Sequence, residues 1–305
     1  MTDRSPDRVT LAAFVLAVLL AGGNGLAIGF SNDELAPYWG ATLRFLTAGL
    51  VCAAIVVVRR YPIPRGRALM GMVLYGVLAI AFAFGLLYWA LVEVPTGAGV
   101  VILALVPLLT LMIAVIQGVE PFRWLAAIGA VVAALGVAII SADQLAGSVP
   151  PLPMLAAFLA AVAIAQSSVL IKRLPDVHPI TTNAIAMLVG AGALAAVSAA
   201  LGEPWILPRE VPTWVAIGYL VLVGTVVVYA LGLFVLTRWT ASSASYLHIL
   251  LPLVAVPLGA WLRNERVSPL FAIGATVVIV GVYVGVVVAG RRDATQESVP
   301  ASERV

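Results

Sequence analysis

Long apolar runs separated by short polar links dominate this chain. Each run has about the 17–25 residues that an α-helix needs to cross a bilayer, whereas barrel strands need only about 9–11. The runs cover residues 10–30, 36–58, 68–91, 96–117, 122–142, 152–172, 181–201, 213–236, 241–262 and 268–289. The pattern therefore predicts an all-α integral membrane protein with ten transmembrane helices. The first run is interpreted as a helix rather than a signal peptide, because no small-residue cleavage site follows it.

The second half of the chain repeats the first. Several positions match at a fixed offset of 145 residues: Pro107 with Pro252, Glu120 with Glu265, and the Ala-Ile-Gly-Ala of 127–130 with the same tetrapeptide at 272–275. The first two helices of each half match at an offset of 142, which pairs Asn24 with Gln166. Five helices per half is an odd number, so the second half must enter the membrane from the opposite side. The sequence predicts two inverted five-helix repeats, residues 10–142 and 152–289, and a disordered cytoplasmic tail at 290–305.

Composition and charge place the chain in lipid. Of its 305 residues 63% are hydrophobic and only 10% are charged, against about 25% charged residues in soluble domains. With the N-terminus inside, 13 Lys and Arg residues fall on the cytoplasmic side and 3 on the other. The positive-inside rule then predicts a multi-pass protein of the cytoplasmic (inner) membrane with both termini in the cytoplasm. Because the basic residues are spread over short links, a nucleic-acid partner is not expected.

Several classes of chemistry have no support in the sequence. A single cysteine, Cys52, allows neither a disulfide framework nor a cysteine-based metal site. A GxxxxGK[ST] stretch for nucleotide binding is absent. We therefore expect no cofactor, no metal and no catalytic residue.

Three segments resemble a known family. They are TLRFLTAGL at 42–50, LYWALVEVPTGAGVVILALVPLLTLMIAV at 87–115, and FVLTRWTASSASYLHILLPLVAVPLGAWLRNERVSP at 234–269. In order and spacing these resemble the EamA family of the drug/metabolite transporter superfamily. The resemblance implies a basket-like transporter in which the first four helices of each half surround a central cavity and the fifth is peripheral. It also implies export of an amino acid or another small metabolite.

Arg44 and His248 are polar residues inside predicted helices. A central arginine costs about 2.5–3.5 kcal/mol on insertion scales, so Arg44 should face protein or water. It could hold an anionic group such as a carboxylate, or it could bridge backbone carbonyls for structure. His248, whose repeat equivalent is Leu103, could couple proton movement to transport. Alternatively, His248 has a structural role and donates a single hydrogen bond to a neighbouring carbonyl.

The remaining candidates are amides, aromatic residues, a serine and prolines. Asn24 and Gln166 could either join helices or line the cavity, and the prolines remove helical hydrogen bonds and so favour bending. With Arg44 and His248, the predicted cavity residues are Asn24, Tyr88, Gln166, Tyr229, Ser242 and Tyr246. The predicted gating or hinge residues are Trp39, Trp89, Pro107 and Pro252. Glu120 and Glu265 are expected to cap the helices that follow them.

These observations predict a secondary transporter that exports a small metabolite by alternating access. The expected partners are a small-molecule substrate, the lipid bilayer and protons as the coupling ion, and the expected state is a monomer or a weak homodimer. A passive facilitator or channel is the alternative. A remote alternative is an intramembrane serine enzyme that uses Ser242 or Ser245 with His248, and it lacks a third orienting group.

Overall fold

The computed structural model describes residues 8–93, 102–140, 142, 151–174, 178–263 and 269–288. These residues form helices and short connections, with no β-strand among them. The tail at 290–305 and Glu265 lie outside the described residues. Large aliphatic side chains on the outer surface are strongly exposed, for example Val57 at 73%, Val58 at 79% and Ile116 at 78%. Such a surface is suited to lipid rather than water.

Ten apolar helices are found in the described part of the chain, which confirms the predicted fold class. Seven are long enough to cross a membrane, and α4, α5 and α10 are shorter in their described parts. Their bounds are α1 Arg8–Asn32, α2 Pro37–Arg59, α3 Arg67–Ala90, α4 Val106–Ile116, α5 Trp124–Ile140, α6 Pro151–Lys172, α7 Pro179–Ala200, α8 Val211–Arg238, α9 Ala241–Leu262 and α10 Leu270–Val286. The end of the bundle where α1 begins is termed the Arg8 face, and the end where α1 stops is termed the Glu34 face.

The helices of the two halves pack in equivalent ways. Helix α2 lies against α7, and α5 lies against α10. Helix α6 packs against α3 and α4, just as α1 packs against α8 and α9. Exchanging the two halves therefore preserves the neighbours of α1 and α6. The halves are interleaved, so the centre of the bundle is built from helices of both.

Two of the helices contain matching π-helical segments. In α3 the segment is Val77–Phe82, and in α8 it is Leu222–Val227. The two segments are separated by the same 145-residue offset that relates the sequence repeats. A π-helical turn changes the register of backbone hydrogen bonds and often marks a functional site. Each half of the chain therefore contains a π-helical segment at the equivalent position.

Helices α5 and α10 meet through glycines. A Cβ atom on Gly129 would lie 2.6 Å from the carbonyl oxygen of Gly281, and one on Gly136 would lie 2.8 Å from that of Gly274. Gly129 and Gly274 are equivalent at the 145-residue offset, and so are Gly136 and Gly281. Gly129 therefore contacts the counterpart of Gly136, and Gly136 contacts the counterpart of Gly129. Reciprocal contacts of this kind are typical of an interface with two-fold symmetry. The order is reversed along the second helix, so the two helices run antiparallel.

Carboxylates join the halves at the Glu34 face. Glu203, which follows α7, accepts hydrogen bonds from the backbone N–H groups of Tyr38 (3.2 Å) and Trp39 (2.8 Å) at the start of α2. Glu34, which follows α1, accepts backbone hydrogen bonds from the two residues that immediately precede α8. Desolvation raises the pKa of the Glu34 carboxyl, but these bonds and the charge of Arg209 outweigh it, so the net pKa lies below its ordinary value. Both carboxylates sit at the positive end of a helix dipole.

Glu120 makes the corresponding contact at the Arg8 face. Its carboxylate accepts hydrogen bonds from the backbone N–H groups of Ala241 and Ser242 and from the Ser242 hydroxyl, at the start of α9. The expectation that Glu120 caps the following helix is wrong, because α5 begins only at Trp124. The polar turn instead reaches across to the other half. Three glutamates thus tie helix N-termini of one half to links of the other.

Substitution of Gly281 by alanine tests the glycine contact between α5 and α10. The new Cβ atom would lie 2.4 Å from the backbone nitrogen of Ala133, so the helices would have to move apart. Overpacking of this kind costs about 1–3 kcal/mol, and we expect a lower apparent melting temperature in detergent. Gly192→Ala is the control, because Gly192 has nothing within 4 Å of its Cβ position. Helix propensity should leave that variant as stable or more stable. Equal melting of Gly281→Ala and the wild type would contradict the contact.

Candidate functional site

Arg44 lies inside the bundle at the contact between α2 and α8. Its side chain is 1% exposed. The Nε atom donates to the hydroxyl of Thr225 at 2.7 Å, and Nη2 donates to the carbonyl oxygen of Gly224 at 3.2 Å. Both acceptors belong to the π-helical segment of α8. The interrupted helix therefore supplies the polar atoms that make a buried arginine tolerable.

The carbonyl of Gly224 has a second donor, Asn24. The Asn24 amide nitrogen donates to it at 3.1 Å. Asn24 begins the second part of α1, which is interrupted at Gly23. The Tyr219 hydroxyl donates to the carbonyl of Leu20 beside this interruption. Helices α1, α2 and α8 are thus joined at one backbone carbonyl, in the middle of the bundle.

Aromatic side chains surround the guanidinium group. Its central carbon lies 5.0 Å from the ring centroid of Phe45 and 5.5 Å from that of Phe84. Tyr88, Tyr219 and Tyr229 lie close enough to interact electrostatically with Arg44, and the Tyr88 hydroxyl is also within hydrogen-bonding reach of it. The predicted cavity residues Asn24, Arg44, Tyr88 and Tyr229 are therefore neighbours.

The charge of Arg44 is incompletely compensated. The Nη1 atom is buried and has no hydrogen-bond partner. No carboxylate pairs with Arg44 among the residues that the structure describes. A buried cation without a counter-charge is energetically unfavourable. The site is therefore electrostatically suited to an anionic group.

The equivalent position in the second half is closed by small residues. Ala186 on α7 is the counterpart of Arg44 at the 142-residue offset. A Cβ atom on Gly76 of α3 would lie 2.5 Å from the Ala186 carbonyl oxygen. Close backbone packing thus fills the place that the arginine occupies on the other side. Among the described residues, the arginine on α2 therefore has no counterpart at the equivalent position of α7.

The start of α9 forms a second polar group of residues, apart from the contacts of Arg44. Ser242 is bound to Glu120, as described above. The Tyr246 hydroxyl donates to the carbonyl of Ala126 on α5 at 2.7 Å. The His248 Nδ1 atom lies 3.0 Å from the carbonyl oxygen of Ser245, which requires a proton on Nδ1. The structure gives Ser242 and Tyr246 partners within the bundle, and their role toward a substrate stays a prediction.

Gln166 belongs to a third place, near the Arg8 face. Its side-chain oxygen accepts a hydrogen bond from the Gln117 amide at 2.7 Å, and Arg173 donates to the Gln117 carbonyl. The sequence pairs Gln166 with Asn24, but the two amides bind different elements. Gln166 joins α6 to the end of α4.

The predicted gating residues are distributed over the bundle. Trp39 stacks on Trp205 with ring centroids 4.7 Å apart and donates to the Ile206 carbonyl at 2.6 Å. Trp89 packs in the apolar cluster between α3, α4 and α6. These contacts hold both rings in place, and a gating role for them stays a prediction.

The two prolines occupy different kinds of position. Pro107 lies in the first turn of α4, directly after a turn at residues 104–105. Pro252 lies inside the helical segment of α9, which also contains Pro257. Helix α9 is further interrupted at Tyr246. A proline in the first turn removes no helical hydrogen bond, so the expected loss of a bond applies to Pro252 and not to Pro107. A hinge role for either proline stays a prediction.

The sequence alone does not reveal Gly224 and Thr225 as the partners of Arg44. Gly224 and Thr225 lie in an apolar run without any charged residue, and nothing in that run marks a π-helical segment. A Cβ atom at Gly224 would lie 2.0 Å from the Asn24 side-chain oxygen, so the close approach requires glycine. A glycine followed by a threonine in the middle of a predicted helix was the available signal.

Comparison with known proteins identifies the architecture. The sequence pattern that defines the EamA-like transporter family matches residues 9–142 and 151–287, one match in each half of the chain. The chain belongs to the EamA-like transporter family. It is therefore a membrane transporter, and the resemblance noted in the sequence is confirmed.

Relatives of this EamA-like transporter support the assignment. The chain is 26% identical over 273 residues to the uncharacterized inner membrane transporter YedA of Escherichia coli (strain K12), covering 89% of this chain and 88% of the relative. YedA proteins of the strains O6:H1 and O157:H7 match to the same extent. A solved crystal structure superposes with a TM-score of 0.77 over 92% of this chain and 98% of its own, at 20% identity. That similarity shows a shared fold.

The Thr225→Val variant tests the anchoring of Arg44 in this EamA-like transporter. Valine has nearly the same shape but leaves Nε of Arg44 without its acceptor, which should cost about 1.5–3 kcal/mol. We expect a lower apparent melting temperature, and Thr225→Ser should restore most of it. Thr276→Val is the matched control, since the exposed Thr276 hydroxyl donates to a carbonyl of its own helix. Equal effects at the two threonines would contradict the anchoring role.

Proposed function

We propose that this protein is a secondary transporter that moves a small metabolite with an anionic group across the cytoplasmic membrane by alternating access. The observation that carries the proposal is Arg44, which is 1% exposed and keeps an unpartnered Nη1 atom. A carboxylate on the substrate would provide the missing counter-charge. An amino acid is one candidate substrate.

A purely structural role accounts for less of the geometry. The two hydrogen bonds from Arg44 to α8 use Nε and Nη2. A structural bridge could be made by a neutral amide without placing a full charge in the bundle. The guanidinium group keeps additional N–H groups for a ligand, and its planar shape suits a carboxylate. The charge is therefore better explained by binding than by bridging.

Contacts between the halves supply a basis for alternating access. Glu34 and Glu203 join the halves at the Glu34 face, and Glu120 joins them at the Arg8 face. Opening either face would separate a carboxylate from the helix N-terminus that it caps. Arg44 lies between these two sets of contacts. The protein would then have one conformation open at the Arg8 face and another open at the Glu34 face. A ligand at Arg44 shifts the equilibrium between these conformations only if it binds one of them more tightly than the other.

The orientation of the bundle and the direction of transport are two separate parts of this proposal. The excess of 13 basic residues against 3 supports a cytoplasmic position for the Arg8 face. We propose export, with protons as the coupling ion and His248 as the residue that exchanges them. The Ser245 carbonyl would then accept the hydrogen bond from Nδ1–H, while Nε2 takes up and releases the transported proton.

A passive facilitator is the second candidate function. The breaks in α1 and α9 and the two prolines inside α9 favour bending helices over a static pore. A pH gradient would separate the two functions, because facilitated diffusion is independent of it. The serine-enzyme alternative has no support in the hydrogen bonds. The hydroxyl groups of Ser242 and Ser245 are bound to Glu120 and to a backbone carbonyl, not to His248.

Substitution of Arg44 tests the proposed function. Proteoliposomes loaded with a mixture of radiolabelled amino acids should release label through the wild type. In Arg44→Gln we expect at least a tenfold lower rate, since hydrogen bonds to a charged group contribute about 1.5–3 kcal/mol. Arg44→Lys keeps the charge and should retain part of the rate.

The control replaces an arginine outside the site. Arg238→Gln removes a charge that stacks on Phe234 of the same helix, with 3.6 Å between its central carbon and the ring centroid. That variant should transport like the wild type. Unchanged release through a folded Arg44→Gln protein would disprove the assignment.

A further inference from the structure

The carbonyl of Gly224 holds two side chains that each keep one polar atom free. Arg44 and Asn24 both donate to this oxygen, at 3.2 Å and 3.1 Å. The other terminal nitrogen of Arg44, Nη1, is buried without a hydrogen-bond partner, and so is the side-chain oxygen of Asn24. Because both side chains bind the same oxygen, the two unpartnered atoms belong to groups that meet at one point in the bundle.

The hydrogen-bonding roles of the two free atoms are fixed. A guanidinium nitrogen is only a donor. The Asn24 amide must point its nitrogen at Gly224, because a carbonyl oxygen only accepts, and this leaves the Asn24 oxygen as an acceptor. The site therefore offers a cationic donor beside a neutral acceptor. This pair is complementary to a ligand that carries an anionic acceptor next to a hydrogen-bond donor.

We propose that Arg44 and Asn24 together bind a carboxylate that carries a hydrogen-bond donor on its adjacent carbon. This inference rests on the proposed function and deepens it. The carboxylate oxygen accepts from Nη1 of Arg44, and the neighbouring hydroxyl or ammonium group donates to the side-chain oxygen of Asn24. The substrate class is thus a 2-hydroxy or 2-amino carboxylic acid, and a plain carboxylic acid fits less well.

The position of the pair connects binding with movement of the halves. Asn24 and Arg44 lie on α1 and α2 of the first half, and Gly224 lies on α8 of the second. A ligand held by both side chains rests against a contact between the halves. Its binding free energy can therefore differ between the two openings of the transporter.

The test uses three probes with one carbon skeleton: hexanoate, 2-hydroxyhexanoate and 2-aminohexanoate. Binding to the purified full chain in nanodiscs is measured from the ligand-dependent rise in melting temperature. For the wild type we expect the hydroxy and amino acids to bind about tenfold more tightly than hexanoate, as one additional hydrogen bond to the ligand provides. Asn24→Leu should bind all three probes with equal affinity, at the hexanoate level.

A second variant keeps the test decisive if Asn24→Leu does not fold. Asn24→Asp retains the shape of the side chain and places a carboxylate beside Arg44, so the binding of all three probes should be lost. Equal affinities in the wild type, an unchanged preference in Asn24→Leu, full binding in Asn24→Asp, or a wild type that none of the probes stabilises would each overturn the inference. Release that depends on Arg44 without any effect of Asn24 would overturn this inference alone. Release that is independent of Arg44 would overturn the proposed function as well.

Discussion

The bundle depends on how it accommodates one buried positive charge. Arg44 is surrounded by apolar helices, and its compensation comes from a threonine hydroxyl, a backbone carbonyl and aromatic rings. These dipoles and ring faces stabilise the guanidinium only in part. The π-helical segment of α8 is the structural device that makes the arrangement possible, because it turns a backbone carbonyl toward the side chains. The unpaired remainder of the charge is what the substrate would neutralise.

The rest of the molecule provides the frame around this site. Reciprocal glycine contacts hold α5 and α10 in an antiparallel pair. Three glutamates cap helices of the opposite half, two at one face and one at the other. The glycine contacts follow the two-fold symmetry of the repeats, and the site arises where that symmetry fails. Ala186 packs against backbone at the position where the other half has Arg44.

Much of this could be predicted from the sequence. The length of the apolar runs predicted ten helices, because a bilayer permits few alternatives. Arg44 and Asn24 stood out because a charge or an amide inside an apolar run must find a partner. Their partners could not be predicted, since a backbone carbonyl has no signature of its own. Glu120 shows the limit of local rules: the helix that follows was the obvious one to cap, but the N-terminus of α9 lies nearer in space.

A structure with a bound ligand would show whether the substrate carboxylate lies at Arg44. Crystals of the protein grown with a brominated 2-hydroxycarboxylate would show the ligand position through the anomalous signal of bromine. We expect a carboxylate oxygen within hydrogen-bond distance of Nη1 of Arg44. A ligand bound elsewhere, with Nη1 hydrogen-bonded to another group of the protein, would contradict it.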